Sequence, residues 1–189
     1  MWKQLSNWIY RVSRGWVTLT AVLLFFLFTA LVLPGQSSGA SVSDQAGSPD
    51  LSIYYSADNL YQMAGAYGEE GRVDYIQARF TFDLIWPLVY TFFLVTTISW
   101  IYQRIFPAGS AWRVINLLPV WGMLGDYLEN ISTSIVMWRY PLTTPVVGWL
   151  AGLFTAGKWL LIVGSFIGLL AGLIILVWNL IREGRKKDD

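Results

Sequence analysis

The stretch VGWLAGLFTAGKWLLIVGSFIGLLAGLIILVWNLI, residues 147–181, carries one charged side chain, Lys158, in thirty-five residues. About 20 mainly apolar residues are enough to cross a bilayer, so this stretch reads as a transmembrane helix and decides the fold class. Three others read the same way: residues 16–33 (WVTLTAVLLFFLFTALVL), 84–106 and 114–137. Pro34-Gly35 stops the first. Pro107-Ala108-Gly109-Ser110 separates the second from the third, and Tyr140 through Pro145 separates the third from the fourth. Connections that short make neighbouring helices antiparallel. The expected fold is an all-α integral membrane protein with four transmembrane helices in an antiparallel bundle.

Composition agrees. Apolar residues form 55% of the chain and charged ones 13%, against about 25% charged in soluble domains. A formal net charge of +1 offers no basic face for nucleic acid. The chain has neither Cys nor His, which excludes thiol nucleophiles, disulfides, haem ligation by His and Cys/His zinc sites. No metal and no cofactor is expected.

Basic residues give the orientation. With the amino terminus inside, the cytoplasmic side holds nine: Lys3, Arg11, Arg14, Arg104, Arg113, Arg182, Arg185, Lys186 and Lys187. The outer side holds three, Arg72, Arg79 and Arg139. Both termini are therefore expected inside, with residues 1–15 a cytoplasmic segment and 182–189 a basic tail, in a multi-pass protein of the cell membrane. Ser38-Gly39-Ala40 resembles a signal-peptide cleavage site. The apolar run of 16–33 is, however, longer than the roughly 7–15 residues of a signal peptide, which favours an uncleaved signal anchor.

Residues 35–82 form the outer loop. Residues 35–50 are Gly/Ser-rich and read as a flexible linker. Ser56 can cap a short helix running to Tyr67, with Leu60, Met63 and Tyr67 on one face, and Gly68 ends it. A helix then starts near Glu70 and runs into the second span without Gly after Gly71. Arg72, Arg79, Asp83, Tyr90 and Thr97 share one face of it, and Arg79 and Asp83 stand one turn apart, close enough to pair. Either this face holds an interfacial ion pair plus interhelical hydroxyls, or it is the polar wall of a cavity open to the outside.

Charges inside the spans are the strongest functional lead. Each charge at a bilayer centre costs about 2.5–3.5 kcal/mol, so three left unpaired would cost about 8–10 kcal/mol. Asp126, Glu129 and Asn130 project to one side of the third span. Counted from Trp138, Glu129 lies roughly 13 Å deep and Asp126 roughly 18 Å, and counted from Gly148, Lys158 lies roughly 15 Å deep. A Lys158–carboxylate pair is predicted. One lysine cannot neutralise two carboxylates, so the other must hold a proton, bind Asn130 or Tyr90, or meet Arg79. Pro119 frees a backbone carbonyl one turn earlier, which can kink the third span or bind a water or polar group.

Gly164, Gly168 and Gly172 repeat at four-residue spacing, as do Gly148, Gly152 and Ala156. Such runs let helices approach closely, either within the chain or as the seam of a homo-oligomer. Three functions fit. The first is a non-enzymatic membrane protein whose Asp126, Glu129, Asn130 and Lys158 hold the bundle and, with Arg79, Asp83 and Tyr90, bind a polar ligand or lipid headgroup from the outer side. The second is a membrane enzyme doing acid–base chemistry on a lipid or isoprenoid through Asp126 or Glu129, with Lys158 and Tyr90 as stabilisers. The third is a proton-coupled transporter, or a subunit of a larger membrane complex, using Asp126 near the midplane. Membrane lipid is the partner common to all three.

Overall fold

The computed structural model describes residues 1–34 and 47–188, and the regular structure among them is helical throughout. The helices are α1 (Trp2–Val12), α2 (Gly15–Leu31), α3 (Ala57–Ala66), α4 (Gly68–Arg79), α5 (Phe82–Ile105), α6 (Leu118–Arg139) and α7 (Pro145–Asp188), with 3-10 turns at Pro49–Leu51 and Ala111–Leu117. The linker at 35–46 and the small-residue site at 38–40 lie outside the described residues.

Two helical stretches are long and apolar enough to cross a membrane: Gly68–Ile105, which joins α4 to α5, and Pro145–Arg185 of α7. A third is added if α1 and α2, bent by 91° at residues 13–14, count as one. α6 is not among them, since Asp126, Glu129, Asn130 and three hydroxyl residues dilute its apolar character.

Aromatic packing joins α2 to α5. The Phe25 ring stacks on Phe93 at 4.3 Å, and Trp86 lies against both Phe25 and Phe28. The far side of α2, with Leu19, Leu23, Phe26 and Leu27, is exposed, which suits lipid rather than water. The helix α1 was not anticipated within residues 1–15. It buries Ser6, Ile9 and Tyr10 and exposes Trp2 and Trp8, the two-faced pattern of a helix lying in an interface. Its polar clasp explains its place. Ser6 Oγ donates to Asn116 Oδ1 at 2.8 Å, Asn116 Nδ2 donates to Ser99 Oγ at 3.0 Å, and the Tyr10 hydroxyl donates to the Arg113 carbonyl at 2.9 Å.

The most extensively packed helix pair is α6 with α7, and glycines line its contact. A Cβ at Gly125 would stand 3.3 Å from Lys158 Cβ, and one at Gly122 would stand 3.0 Å from Ile162 Cγ1. Further along α7, Gly168 and Gly172 are taken up within the chain. The Tyr102 hydroxyl donates to the Gly168 carbonyl at 2.9 Å, and a Cβ at Gly172 would stand 2.6 Å from the Tyr102 ring. Packing inside one chain, one of the two uses open to that glycine run, is thus realised at both positions.

One local expectation is corrected. Pro119 does not kink a helix: residues 111–117 form a 3-10 turn and Pro119 sits in the first turn of α6, where its missing N–H breaks no helical bond. The helix expected to begin ahead of the second span does so, as the stretch Gly68–Ile105, with a turn at Phe80-Thr81. There the Thr81 hydroxyl bonds back to the Gln77 carbonyl at 2.8 Å and the Arg79–Asp83 pair spans the junction.

At the end of the bundle that faces α3, the Ser56 hydroxyl accepts from the Asn59 N–H and the Asn59 side chain returns to the Ser56 N–H, a reciprocal cap that starts α3. Leu60, Ala64, Tyr67 and Tyr75 then pack on Val136, Met137 and Ala151. The segment covers this end of α6 and α7.

Candidate functional site

Four of the sequence candidates meet in one layer. Lys158 Nζ contacts Asp126 Oδ1 at 3.3 Å and pairs with Glu129 Oε2. The second Asp126 oxygen accepts from the Tyr90 hydroxyl at 3.0 Å. A single ammonium on α7 therefore bridges both carboxylates of α6, and α5 contributes a phenol to one of them. Lys158 is 5% exposed and Glu129 0%. Burial to that degree is tolerated only because each ion has opposed charge and hydrogen bonds at once.

The other oxygen of Glu129 is met by two hydroxyls that sequence reading did not single out. Thr155 Oγ1 lies 2.6 Å from Glu129 Oε1, and the Tyr55 hydroxyl reaches the same oxygen at 3.4 Å. Thr155 stands three residues before Lys158, on the same side of α7, so its place was readable from helical spacing. Tyr55 comes from outside the bundle. It is buried, just ahead of the Ser56 cap, and its backbone carbonyl rests on Gly152, where a Cβ would collide with it. That glycine gives the outer segment its way down to the layer. No spacing rule links Tyr55 to Glu129, so no sequence signal marks it among the neighbouring tyrosines.

Arg79 and Asp83 remain a separate pair. Arg79 Nε lies 2.9 Å from Asp83 Oδ2, and the guanidinium sits over the Tyr75 ring at 4.5 Å. Arg72 turns toward α3, donating to the Ala64 carbonyl at 3.0 Å and covering the Tyr140 ring. Asn130 adjoins the layer without joining it. Its side chain is buried, 4% exposed, and neither amide atom has a hydrogen-bond partner among the described residues. A buried amide left so costs roughly 1–3 kcal/mol, and it can offer two donors and an acceptor to a guest.

Beside the layer, an apolar groove of about 500 Å³ runs between α6 and α7, lined by Trp121, Leu128, Phe154 and Gly157 with Lys158 among its walls. Among the described residues, no group of three or more Asp or Glu stands close enough to hold a metal ion.

No family model matches this chain, and no curated protein or solved structure shows significant similarity to it.

Proposed function

We propose that this is a non-enzymatic, multi-pass protein of the cell membrane with four spans and both termini on the cytoplasmic side. Its Asp126–Glu129–Lys158 layer fastens α5, α6 and α7 together and binds a polar ligand or lipid headgroup beneath the cover that Tyr55 and α3 provide. The nine-to-three division of basic residues supports the orientation. The length of α6, 22 residues, supports its crossing, at about 33 Å. Its outward side chains Leu124, Leu128 and Ile131 are exposed and apolar while its carboxylates face inward.

The observation that carries the fastening role is the mutual satisfaction of the layer. Lys158, both carboxylates, Tyr90, Thr155 and Tyr55 are bound to one another. Asn130, with its unspent amide one turn from Asp126, supports binding: it is the group left over to hold a guest. One ammonium facing two carboxylates also leaves the layer with one negative charge or one bound proton, and a cationic or hydroxylated guest suits either.

Replacing the three charges together tests the fastening. Lys158→Met with Asp126→Asn and Glu129→Gln should give a monodisperse protein of near-native melting temperature in detergent, because apolar or neutral replacements of a whole buried set are well tolerated. Lys158→Met alone should not. Equal melting temperatures for the wild type and the single variant would show that the layer fastens nothing.

One observation favours the lipid-enzyme reading as a second choice. The groove between α6 and α7 is lined by apolar residues and includes Lys158, so an acyl or isoprenoid chain lying there would bring its head toward a lysine and two carboxylates. A lipid retained in the wild type and lost from Gly157→Trp, a position with open space around it, would support that choice.

A further inference from the structure

At the end of the bundle away from α3, a cavity of about 1030 Å³ lies between α1, the start of α2, the last turns of α5 and the connection after it. Lys3, Arg11, Arg14, Arg104 and Arg113 all line it, and no carboxylate does. Among the described residues, none of the five forms an ion pair. Two are nevertheless held in place. Arg113 donates to the carbonyls of Phe106 and Gln103, and Arg104 lies over the Trp100 indole at 3.6 Å. Carbonyls and rings orient a guanidinium but leave its charge unneutralised.

Two further features of the cavity point to an anion. The helix α2 begins here, at Gly15, and no side chain caps its first turn, so its leading N–H groups face outward with the positive end of the helix dipole. The indole Nε1–H of Trp100 is buried with no acceptor among the described residues, beside Gly15. All five charged side chains at this place are cations. A lipid source fits as well. Past the Tyr102–Gly172 contact, α7 continues through residues 173–181, seven of them exposed and apolar, about 14 Å along its axis. An apolar helix surface of that length suits the chains of a lipid.

We propose that this cavity binds a phosphate group, presented by an anionic lipid headgroup or by free phosphate. A phosphate offers several acceptor oxygens to several guanidinium forks at once. It would neutralise cations that the chain itself leaves unopposed, at a site separate from the Lys158 layer.

The test uses the full chain in a non-ionic detergent and native mass spectrometry. Phosphatidic acid in mixed micelles is one probe, inorganic phosphate is the second, and phosphatidylcholine is the zwitterionic control. The wild type should retain phosphatidic acid in preference to phosphatidylcholine. Arg14→Gln with Arg104→Gln should weaken that binding about tenfold or more, as expected for two lost headgroup contacts. The charge-keeping pair Arg14→Lys and Arg104→Lys should retain most of it, and Arg182→Gln with Arg185→Gln should bind as the wild type does. Phosphatidic acid held without competition from inorganic phosphate identifies a lipid headgroup, and inorganic phosphate binding equally well identifies free phosphate. The proposal is overturned if neither probe binds, or if the Arg14/Arg104 pair loses no more than the Arg182/Arg185 pair. Should the double variant aggregate, Arg14→Gln and Arg104→Gln are measured singly against the same criteria.

Discussion

Lys158 and Arg104 are both cations on apolar helices, and the fold treats them in opposite ways. Lys158 sits in the middle of the bundle, where two carboxylates, brought within reach by the Gly125 contact, close around it. Arg104 sits at the bundle's end among four other cations, steered by Trp100 and faced by no carboxylate. Depth accounts for the difference. A charge with no route to water must find its counter-ion within the chain, whereas a charge at an interface can take one from outside. Internal pairing of this kind marks structure, and unpaired clustering of this kind marks a place for something else.

The sharpest way to break that contrast is to remove each cation in turn. Lys158→Met should destabilise the protein by about 3–5 kcal/mol by leaving two buried carboxylates without a cation. Arg104→Gln should change stability by less than about 0.5 kcal/mol, as substitutions at exposed positions usually do. Melting curves in one detergent compare the two directly, and comparable losses would erase the distinction.

Next in size is Gly152→Ala, whose methyl group collides with the Tyr55 carbonyl. Overpacking of that sort costs roughly 1–3 kcal/mol. The loss should fall on the docking of the outer segment, so limited proteolysis within residues 51–67 should quicken while the α6–α7 pair stays resistant. Unchanged cleavage would mean that Tyr55 does not anchor the cover.

The smallest effect is expected at Asn130. Exchanging its unpartnered amide for the similar volume of Asn130→Leu removes an unmet polar cost, so the melting temperature in ligand-free detergent should hold steady or rise. A fall of several degrees would show that the amide is already engaged.

Much of the charged layer was legible before any coordinates. Counting residues from Trp138 and Gly148 placed Asp126, Glu129 and Lys158 at one depth, because helical rise is constant and the turn between their helices is short. Tyr90 was legible from its periodic face. Tyr55 was not, since its contact with Glu129 crosses 74 residues and depends on how the outer segment folds back. Gly122 and Gly125 escaped notice because they lie three residues apart, outside the four-residue spacing that flagged Gly164, Gly168 and Gly172. The helix α1 was missed because its apolar residues are interspersed with polar ones in a short segment, and hydropathy averaged over a span does not register a helix that lies flat.

The hydrogen bond between Asp126 and Lys158 also bears on how the chain is made. Its two residues are 32 positions apart, and the carboxylates come first. If α6 crosses the bilayer as proposed, its acidic groups have no cation to meet while it is being synthesised, and release into lipid at that stage would incur the full cost of exposed charge. The helix would then have to wait in the polar interior of the insertion machinery until Lys158 has emerged, and enter the bilayer with α7 as a hairpin. Ribosomal pauses or truncations that fall between residues 140 and 158 should be far more harmful to insertion than those after Gly172.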